Sequence, residues 1–411
     1  MKPPPLDFGH SLRKVSFWKK LAAEAARGHQ TPFYLFSVEP IRKALAELKC
    51  LDRALPVRHW LSCKTQPLRP LLRWWRRQGR GIEVVSEFEL LAALKEAFKP
   101  EQILVNGPAK HHWLPRHAVS RLSVNFDSLR EIEVLGPLAK SLDWRAGIRF
   151  LTGEEFDPET PTRPTQFGLA PDAAVQALDQ LRRAGALVEI AHFHLRTNVA
   201  SAAIYERAIR ELARICRAAR WTPRILDCGG GFPPPHTRSR EGRPFDAQFG
   251  LVAFSKVYET AVRLWPGLQE IWLENGRFLT ARSGVLVTRV LDVKERRGLR
   301  QLICDAGRTN HALLSNWEAH QLLTLPSRGG PAGLTVVCGP TCMAFDQLTC
   351  RALPRTIREG DLLIWMEAGA YHQPWETRFS HGLATVLWHE NGKLRVVRNR
   401  ETFEDWWGQW R

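Results

Sequence analysis

Three consecutive glycines follow a short apolar run in the segment 225–232, which reads ILDCGGGF. Glycine has no Cβ and loses much backbone entropy in a helix or strand, so a glycine triplet favours a turn. Directly after a strand, such a turn can bring backbone N–H groups around an anion such as phosphate. An isolated triplet is more often only a flexible turn. The interpretation therefore depends on which other residues lie at the same edge of the fold.

Other polar side chains stand where predicted strands end. Lys64 follows the first of eight such strands and has an amine that can attach covalently to an aldehyde. Glu274 ends the last strand, and Arg277 follows it. The remaining strand ends carry Glu83 with Ser86, Asn106, Asp127, Arg149, His194 and the glycines Gly229, Gly230 and Gly231. A lysine, a phosphate cradle and a carboxylate match the aldehyde, phosphate and ring nitrogen of pyridoxal phosphate (PLP).

The elements that would position these residues alternate between strand and helix. Apolar runs predict strands at 59–63, 82–86, 103–106, 122–126, 146–151, 188–195, 224–228 and 270–274. Helical spacing of apolar residues predicts helices at 68–78, 87–98, 129–139, 173–184, 202–219 and 251–264. This order predicts an α/β fold, a (β/α)8 TIM-type barrel with its active site at the carboxyl ends of the strands. A doubly wound dinucleotide fold is less consistent, because no G-x-G-x-x-G motif opens a helix after the first strand.

The pattern changes after residue 282. Strands predicted at 285–293, 299–304, 334–337, 361–367 and 383–388, with a hairpin turn at Asn391-Gly392, indicate an all-β domain. We therefore expect a lead over residues 1–30 that packs on the β domain, a PLP-binding barrel over 31–282, and a C-terminal β-sandwich or barrel-like domain over 283–411.

Composition narrows the classes of function. A hydrophobic content of 44% is typical of a globular protein, and no apolar run is long enough to span a membrane. The start of the chain lacks the apolar core of a secretory signal, so we expect a cytoplasmic protein. The eight cysteines are scattered, which favours reduced thiols over a disulfide framework or a zinc site, and we expect no metal.

The net charge of +17 raises the question of nucleic-acid binding. The densest basic and aromatic segment, 72–80, reads LRWWRRQGR. An amphipathic helix with solvent-facing arginines explains this segment better than a nucleic-acid patch, because the basic residues are spread over the whole chain. A nucleic-acid partner is therefore not expected.

Short segments along nearly the whole chain resemble the fold-type III PLP-dependent decarboxylases, the ornithine, diaminopimelate and arginine decarboxylase group. They read LSCK at 61–64, HFH at 192–194, LDCGGGF at 226–232, ENGR at 274–277, DAG at 305–307, GPTC at 339–342 and EAGAY at 367–371. Each segment is weak alone, but their order and spacing together are specific. The resemblance implies an alanine-racemase-like barrel, PLP as cofactor, and a homodimer with shared active sites.

The resemblance also implies a role for each matching residue. Lys64 would bind PLP covalently, Glu274 would keep the pyridine nitrogen protonated, and Arg149 would lie beneath the ring near its phenolic oxygen. Cys342 would enter the partner subunit's site and protonate the α-carbon after decarboxylation, although a lone cysteine is more often a small buried hydrophobe. The remaining cofactor contacts would come from Glu83, His194, Thr197, Gly229, Gly230, Gly231, Gly276, Arg277 and Tyr371, most of them at the phosphate.

His194 would stack on the cofactor ring as a catalytic residue. Two alternatives remain for it: a packed strand histidine, or a metal pair with His192. The metal pair ranks last, because no further ligand stands at metal spacing nearby.

The substrate positions depart from the family pattern. Met343 follows Cys342, where the family usually has an acid for the substrate's distal amine or stereocentre. Glu318 could supply that acid or be an exposed helix glutamate, and Arg196, in place of a family glycine, could meet a carboxylate or face solvent. The substrate candidates are therefore Arg196, Glu318, Met343, Asp346 and Phe379.

We expect a decarboxylase of an amino acid or amino-acid conjugate that releases CO2 and an amine. The missing acid favours a carboxylate-bearing conjugate, as in siderophore or other secondary-metabolite biosynthesis. Ornithine, lysine, arginine and diaminopimelate are the alternatives. An amino-acid racemase and an inactive regulatory homologue also remain, but racemases of this group place arginine at the ring nitrogen, and inactive homologues tend to lose the lysine or the phosphate ligands.

Overall fold

The computed structural model describes residues 8–9, 11–157 and 160–410, so the proline-rich start of the chain lies outside the described residues. The chain divides into two compact units. The barrel unit comprises 44–233 and 248–278, and the β unit comprises the described residues up to 43, 234–247 and those from 279 onward. Within the described residues, no helix is long and apolar enough to cross a membrane.

The barrel unit is a parallel sheet closed by an interrupted first strand. One half of that strand pairs with strand eight and the other half with strand two, which closes the ring. In chain order the strands are Val57–His59 with Leu61–Ser62 (strand one), Ile82–Val84, Ile103–Val105, Ser123–Phe126, Arg145–Arg149, Leu187–His192, Ile225–Asp227 and Glu270–Leu273 (strand eight). The surrounding helices are Arg69–Arg77, Glu87–Lys95, Leu129–Ser141, Pro171–Arg183, Ala202–Ala218 and Leu251–Leu264.

These bounds confirm the predicted barrel: one strand ends at Phe126 as expected, and the others end one to three residues earlier than expected. The strand predicted at 59–63 stops at Ser62, and the 3-10 turn Cys63–Thr65 follows it. Early strand ends leave polar residues on loops at the rim, while apolar residues fill the inside. Trp60 and Trp272 meet there with ring centroids 4.7 Å apart, in one cluster with Leu104, Ile190 and Ile225. Each such side chain contributes about 1.5–3 kcal/mol when fully buried.

The β unit is built on a mixed sheet with the strand order 347–354, 332–338, 299–304, 284–296, 33–37, 385–390 and 393–398. Its strands are Phe33–Ser37, Arg238–Ser239, Gly284–Arg296, Leu299–Cys304, Glu318–Ala319, Leu322–Leu325, Ala332–Cys338, Gln347–Pro354, Leu362–Trp365, Thr385–Glu390 and Lys393–Arg398. Its helices are Leu12–Gly28, Ala312–Asn316 and Phe403–Trp407. Two further helices, Glu39–Leu48 and Gly276–Thr280, each begin in one unit and end in the other.

Two local features show why the chain forms this sheet. Asn391 and Gly392 have φ of 52° and 73°, as a type I′ turn requires, and the predicted hairpin is confirmed. Phe33–Ser37, which the sequence expectation grouped with the barrel, pairs with Gly284–Arg296 and Thr385–Glu390. This strand is buried along its whole length, so it needs a sheet neighbour on both edges.

The helix Leu12–Gly28 packs on the sheet of the β unit. Ser11 caps it by accepting a hydrogen bond from the Lys14 backbone N–H. Its apolar face, with Trp18 and Leu21, joins a buried cluster that includes Phe33.

Candidate active site

Lys64 stands directly after barrel strand one, on the turn Cys63–Thr65. Its Nζ lies 3.1 Å from both carboxylate oxygens of Glu83, a buried residue of strand two. Ser62 Oγ donates to Glu83 Oε2 at 2.5 Å and fixes that carboxylate. The Lys64 side chain is 43% exposed. A ligand can therefore reach an amine that a buried carboxylate holds in place.

Glu274 follows strand eight and is buried. Asn106 Nδ2 donates to Glu274 Oε1 at 2.5 Å, and His192 Nε2 lies 3.6 Å from the same oxygen. Burial and the carboxylates of Asp227 and Glu83 raise the pKa of Glu274 well above its usual value. A cation placed against Glu274, such as a protonated pyridine nitrogen, would favour its charged form. Glu274 is therefore a candidate partner for a positive ring nitrogen.

Asparagine and aspartate side chains connect Glu274 to the glycine turn. Asn125 Nδ2 donates to Asn106 Oδ1 at 2.9 Å and to Asp227 Oδ2 at 3.0 Å. Asp227 Oδ1 accepts the Gly229 backbone N–H at 3.0 Å. Burial raises the pKa of Asp227. Sequence reasoning missed Asn125, whose signal is an amide inside a strand that is buried along its whole length.

The glycine turn follows strand seven, as predicted. Gly229 and Gly231 have φ of 62° and 102°, in the region that favours glycine. A Cβ on Gly230 would lie 2.6 Å from the Glu274 carbonyl oxygen, and one on Gly231 would lie 2.5 Å from the Arg196 carbonyl oxygen. A side chain at either position would push the turn away from Glu274 or from Arg196. The turn therefore offers a cradle without side chains, which fits a phosphate.

His194 is oriented by the same turn. The Gly230 backbone N–H donates to His194 Nδ1 at 3.1 Å, so Nδ1 is an acceptor and the ring hydrogen sits on Nε2. Burial, Arg149 and Lys64 lower the pKa of His194 to about 3, which keeps the ring neutral. A neutral imidazole in a fixed orientation can stack on a flat cofactor ring. Because Gly229 and Gly230 use their N–H groups inside the protein, Gly231 is the triplet's candidate phosphate donor.

The sequence left open a metal pair formed by His192 and His194. The structure brings together a different set of possible metal ligands. The ligand atoms that lie within 4.8 Å of one another belong to His192, Asp227 and Glu274. His194 does not belong to this group, and its Nδ1 accepts the Gly230 N–H. These three residues stand at the carboxyl ends of barrel strands six, seven and eight.

Arg149 provides a fixed positive charge at the end of strand five. Its Nη2 donates to Glu155 Oε1 at 2.9 Å, and its Nη1 lies 3.8 Å from Asp127 Oδ1. Its guanidinium carbon lies 4.4 Å from the ring centroid of Phe167. Burial raises the pKa of Glu155 to about 6, with Arg149 acting in the opposite direction. Sequence reasoning missed Glu155, which stands on a loop without a motif.

Three further residues follow barrel strands: Gly276 and Arg277 begin the helix Gly276–Thr280, and Thr197 lies on a loop. Gly276 is needed beside the lysine turn, because a Cβ there would lie 2.3 Å from Thr65 Cγ2. Arg277 follows it and is partly exposed, and Thr197 is exposed on the loop after strand six.

Arg196 is held by its own barrel unit. Its Nη1 donates to the Glu154 carbonyl at 2.6 Å, and its guanidinium carbon lies 4.2 Å from the Phe156 ring centroid. The sequence left two roles open for Arg196: binding a substrate carboxylate, or facing solvent. These contacts indicate a third role, which is to hold the loop 153–156 in place. This role involves neither a substrate carboxylate nor free exposure to solvent.

The remaining candidates lie on the β unit. Tyr371 has a φ of 68°, and its carbonyl accepts the Trp375 N–H at 3.1 Å. Cys342 is exposed, Met343 is half-buried, and Phe379 is 45% exposed. The alternative interpretation of Cys342 was a small buried hydrophobic residue. Because Cys342 is exposed, it is accessible to a partner.

Two acidic side chains of the β unit, Asp346 and Glu318, contact polar groups of the protein. Asp346 is buried, with Oδ1 accepting from the Arg308 backbone N–H at 2.6 Å and Oδ2 from Thr341 Oγ1 at 2.6 Å. Asp346 thereby joins the DAG and GPTC segments. Glu318 is buried on a short strand, not exposed on a helix, and its Oε2 lies 2.8 Å from His320 Nε2.

Comparison with known proteins agrees with this site. The family model described as "Pyridoxal-dependent decarboxylase, pyridoxal binding domain" matches residues 41–281. Diaminopimelate decarboxylase of Deinococcus radiodurans is 30% identical over 408 residues, covering 96% of this chain and 99% of the relative. Diaminopimelate decarboxylase of Helicobacter pylori is 25% identical over 402 residues, covering 93% and 96%.

Solved structures show the same fold. Diaminopimelate decarboxylase from Helicobacter pylori, complexed with L-lysine, superposes with a TM-score of 0.80 at 24% identity, covering 94% of this chain and 98% of that one. Lysine/ornithine decarboxylase from Vibrio vulnificus, complexed with cadaverine, gives a TM-score of 0.76 at 19% identity, covering 93% and 100%. Because the family model spans more than half of the sequence and a relative is 30% identical over nearly its full length, the chain belongs to the family of pyridoxal-dependent decarboxylases.

Proposed function

We propose that this PLP-dependent amino-acid decarboxylase acts on diaminopimelate or a close analogue with a second carboxylate, releasing CO2. The observation that carries the proposal is the full-length likeness to diaminopimelate decarboxylases, up to 30% identity with 99% of the relative covered. The barrel residues Lys64, Glu83 and Glu274 support the chemistry, because they offer an amine and buried carboxylates at one rim.

The chain's own residues would do most of the positioning. When bound, PLP supplies an electron sink for the electron pair left by the departing CO2. Lys64 would supply the attachment amine, and the glycine turn, which has no side chains, would hold the phosphate through its backbone. Glu274 would keep the ring nitrogen protonated, and the neutral, oriented ring of His194 would contact the cofactor. Such fixed charges in a partly dry site stabilise charge that develops during reaction.

A second candidate substrate is a carboxylate-bearing conjugate, as in siderophore or other secondary-metabolite biosynthesis. The observation in its favour is the segment after Cys342, where Met343 and the 58% exposed Phe345 stand in place of an acid. The nearby acids Asp346 and Glu318 are buried against protein groups. A distal ammonium would therefore need a carboxylate from elsewhere, whereas a conjugate would not.

The two substrates can be separated by NMR in D2O with added PLP. The panel includes meso-diaminopimelate, ornithine, lysine, arginine and a citrate–diaminopropionate conjugate. We expect diaminopimelate to give lysine carrying one α-deuteron with the highest kcat/KM. A preference for the conjugate by about tenfold or more, equivalent to about 1.4 kcal/mol, would select the second candidate. Deuterium at the α-carbon without loss of CO2 would contradict decarboxylation.

We also propose that the active form is a homodimer in which Cys342 serves the partner's site. Support comes from the exposure of Cys342 and of large apolar side chains on the same unit, Phe345 and Phe379.

Mixing two inactive variants tests this arrangement. Lys64→Ala and Cys342→Ala proteins, refolded or co-expressed together, should recover roughly a quarter of wild-type activity. Half of randomly paired dimers are mixed, and each mixed dimer has one intact site of two. No recovery from dimers shown to be mixed would place Cys342 in its own subunit's site, and full activity of Cys342→Ala alone would place it outside catalysis.

A further inference from the structure

Three buried histidines converge in the β unit. His311 precedes the helix Ala312–Asn316, His320 follows the strand Glu318–Ala319, and His372 follows Tyr371. Their exposures are 0%, 0% and 1%. One ligand nitrogen from each lies within 4.8 Å of the other two, and the His311 and His372 ring centroids are 3.9 Å apart.

His311 offers a lone pair to this cluster. Among the residues that the structure describes, neither ring nitrogen of His311 has a hydrogen-bond partner, although the ring is fully buried. A buried polar atom without a partner is unfavourable and calls for a bound group.

His320 has the orientation of a metal ligand. Its Nδ1 lies 2.8 Å from the Met366 carbonyl oxygen, which can only accept, so Nδ1 carries the hydrogen. Its Nε2 lies 2.8 Å from Glu318 Oε2, and a carboxylate oxygen is also an acceptor. Two such atoms at this distance need a proton or a metal ion between them. A histidine whose other nitrogen donates to a carbonyl is the usual arrangement around bound zinc.

We propose that His311, His320 and His372 bind one zinc-class divalent cation, with Glu318 as the adjacent carboxylate. Imidazole is a preferred ligand for Zn2+, and three histidines with one carboxylate suit its tetrahedral geometry. Zn–N bonds of about 2.0–2.1 Å place tetrahedral ligand nitrogens about 3.4 Å apart, so nitrogens that lie within 4.8 Å of one another need to approach by at most about 1.4 Å. A proton held between His320 Nε2 and Glu318 leaves to solvent when the ion enters.

The ion would have a structural role and would take no part in the reaction. All three rings are buried, which leaves no open position for a substrate. The site joins the segment 311–320 to His372, next to Tyr371, the residue assigned to the cofactor phosphate. The inference stands on the β unit alone and does not depend on which substrate the barrel takes.

Metal analysis of tag-free, full-length holoenzyme tests the proposal. After incubation with Zn2+ and dialysis, wild-type protein should retain about one zinc per chain by mass spectrometry of the elements. His311→Gln should retain less than about a tenth of that amount. His59→Gln is the control, because His59 is a buried histidine of the barrel unit and should leave the zinc content unchanged.

A spectroscopic measurement on the wild type covers the case in which His311→Gln does not fold. Co2+ added to the chelator-treated protein should give the intense visible bands of a tetrahedral site, and zinc should remove them. Wild-type protein that retains no zinc and gives no such bands would overturn the proposal. Equal zinc in wild type and His311→Gln, or equal loss in His59→Gln, would overturn it as well.

Discussion

Lys64→Ala protein should decarboxylate its best substrate more slowly than wild type by roughly 10⁴-fold or more. The substitution removes the amine that the Glu83 carboxylate holds 3.1 Å away at the end of strand one. Without that amine, the cofactor loses both its covalent anchor and its fixed orientation. Steady-state kinetics with the best substrate of the NMR panel would measure the loss.

Lys95→Ala is the matched control for this prediction. Lys95 is exposed on the barrel helix Glu87–Lys95, so its loss should change the rate by less than about twofold. Thermal unfolding should show that both variants are folded. Turnover by Lys64→Ala within tenfold of wild type would contradict the role assigned to Lys64.

Glu274→Gln should lower kcat by about 10³-fold while the protein still binds PLP. The amide is nearly isosteric with the carboxylate and can keep a hydrogen bond with Asn106. It cannot carry the negative charge that holds a proton on the ring nitrogen. The cofactor would then accept the electrons from decarboxylation less readily, so the loss falls on kcat and not on KM.

Glu270→Gln is the control on the same strand. Glu270 lies at the opposite end of strand eight, where it pairs with Arg58 at 3.3 Å near the surface. Its substitution should leave kcat within about twofold of wild type. If Glu274→Gln retained more than about a tenth of the wild-type kcat with PLP bound, Glu274 would not be the ring-nitrogen partner.

The barrel was predictable because its strands are buried on both faces. Parallel strands such as Ile103–Val105 read as continuous apolar runs, which the sequence shows directly. The β unit was harder. The strand Gln347–Pro354 was missed because its alternation is broken by Arg351, a buried arginine that donates to the His320 carbonyl at 2.7 Å. Tertiary contacts, not the local pattern, make that arginine compatible with a strand.

The sequence predicted those candidate site residues that stand at the ends of barrel strands. Lys64, Glu274 and the glycine turn were found because a barrel brings the carboxyl ends of its strands to one rim. Asn125 was missed, since it lies within strand four and its importance appears only with Asp227 opposite it. The three histidines of the β unit have no diagnostic spacing in the sequence, so only folding reveals that they converge.

Covalent mapping of the cofactor tests the central claim most directly. The claim is that Lys64, at the end of barrel strand one, carries PLP in a decarboxylase site. Holoenzyme reduced with borohydride and digested should yield the cofactor's mass on the peptide that contains Lys64, at about one per chain. Cofactor found on a different lysine, or on none, in protein that binds PLP stoichiometrically would contradict the account.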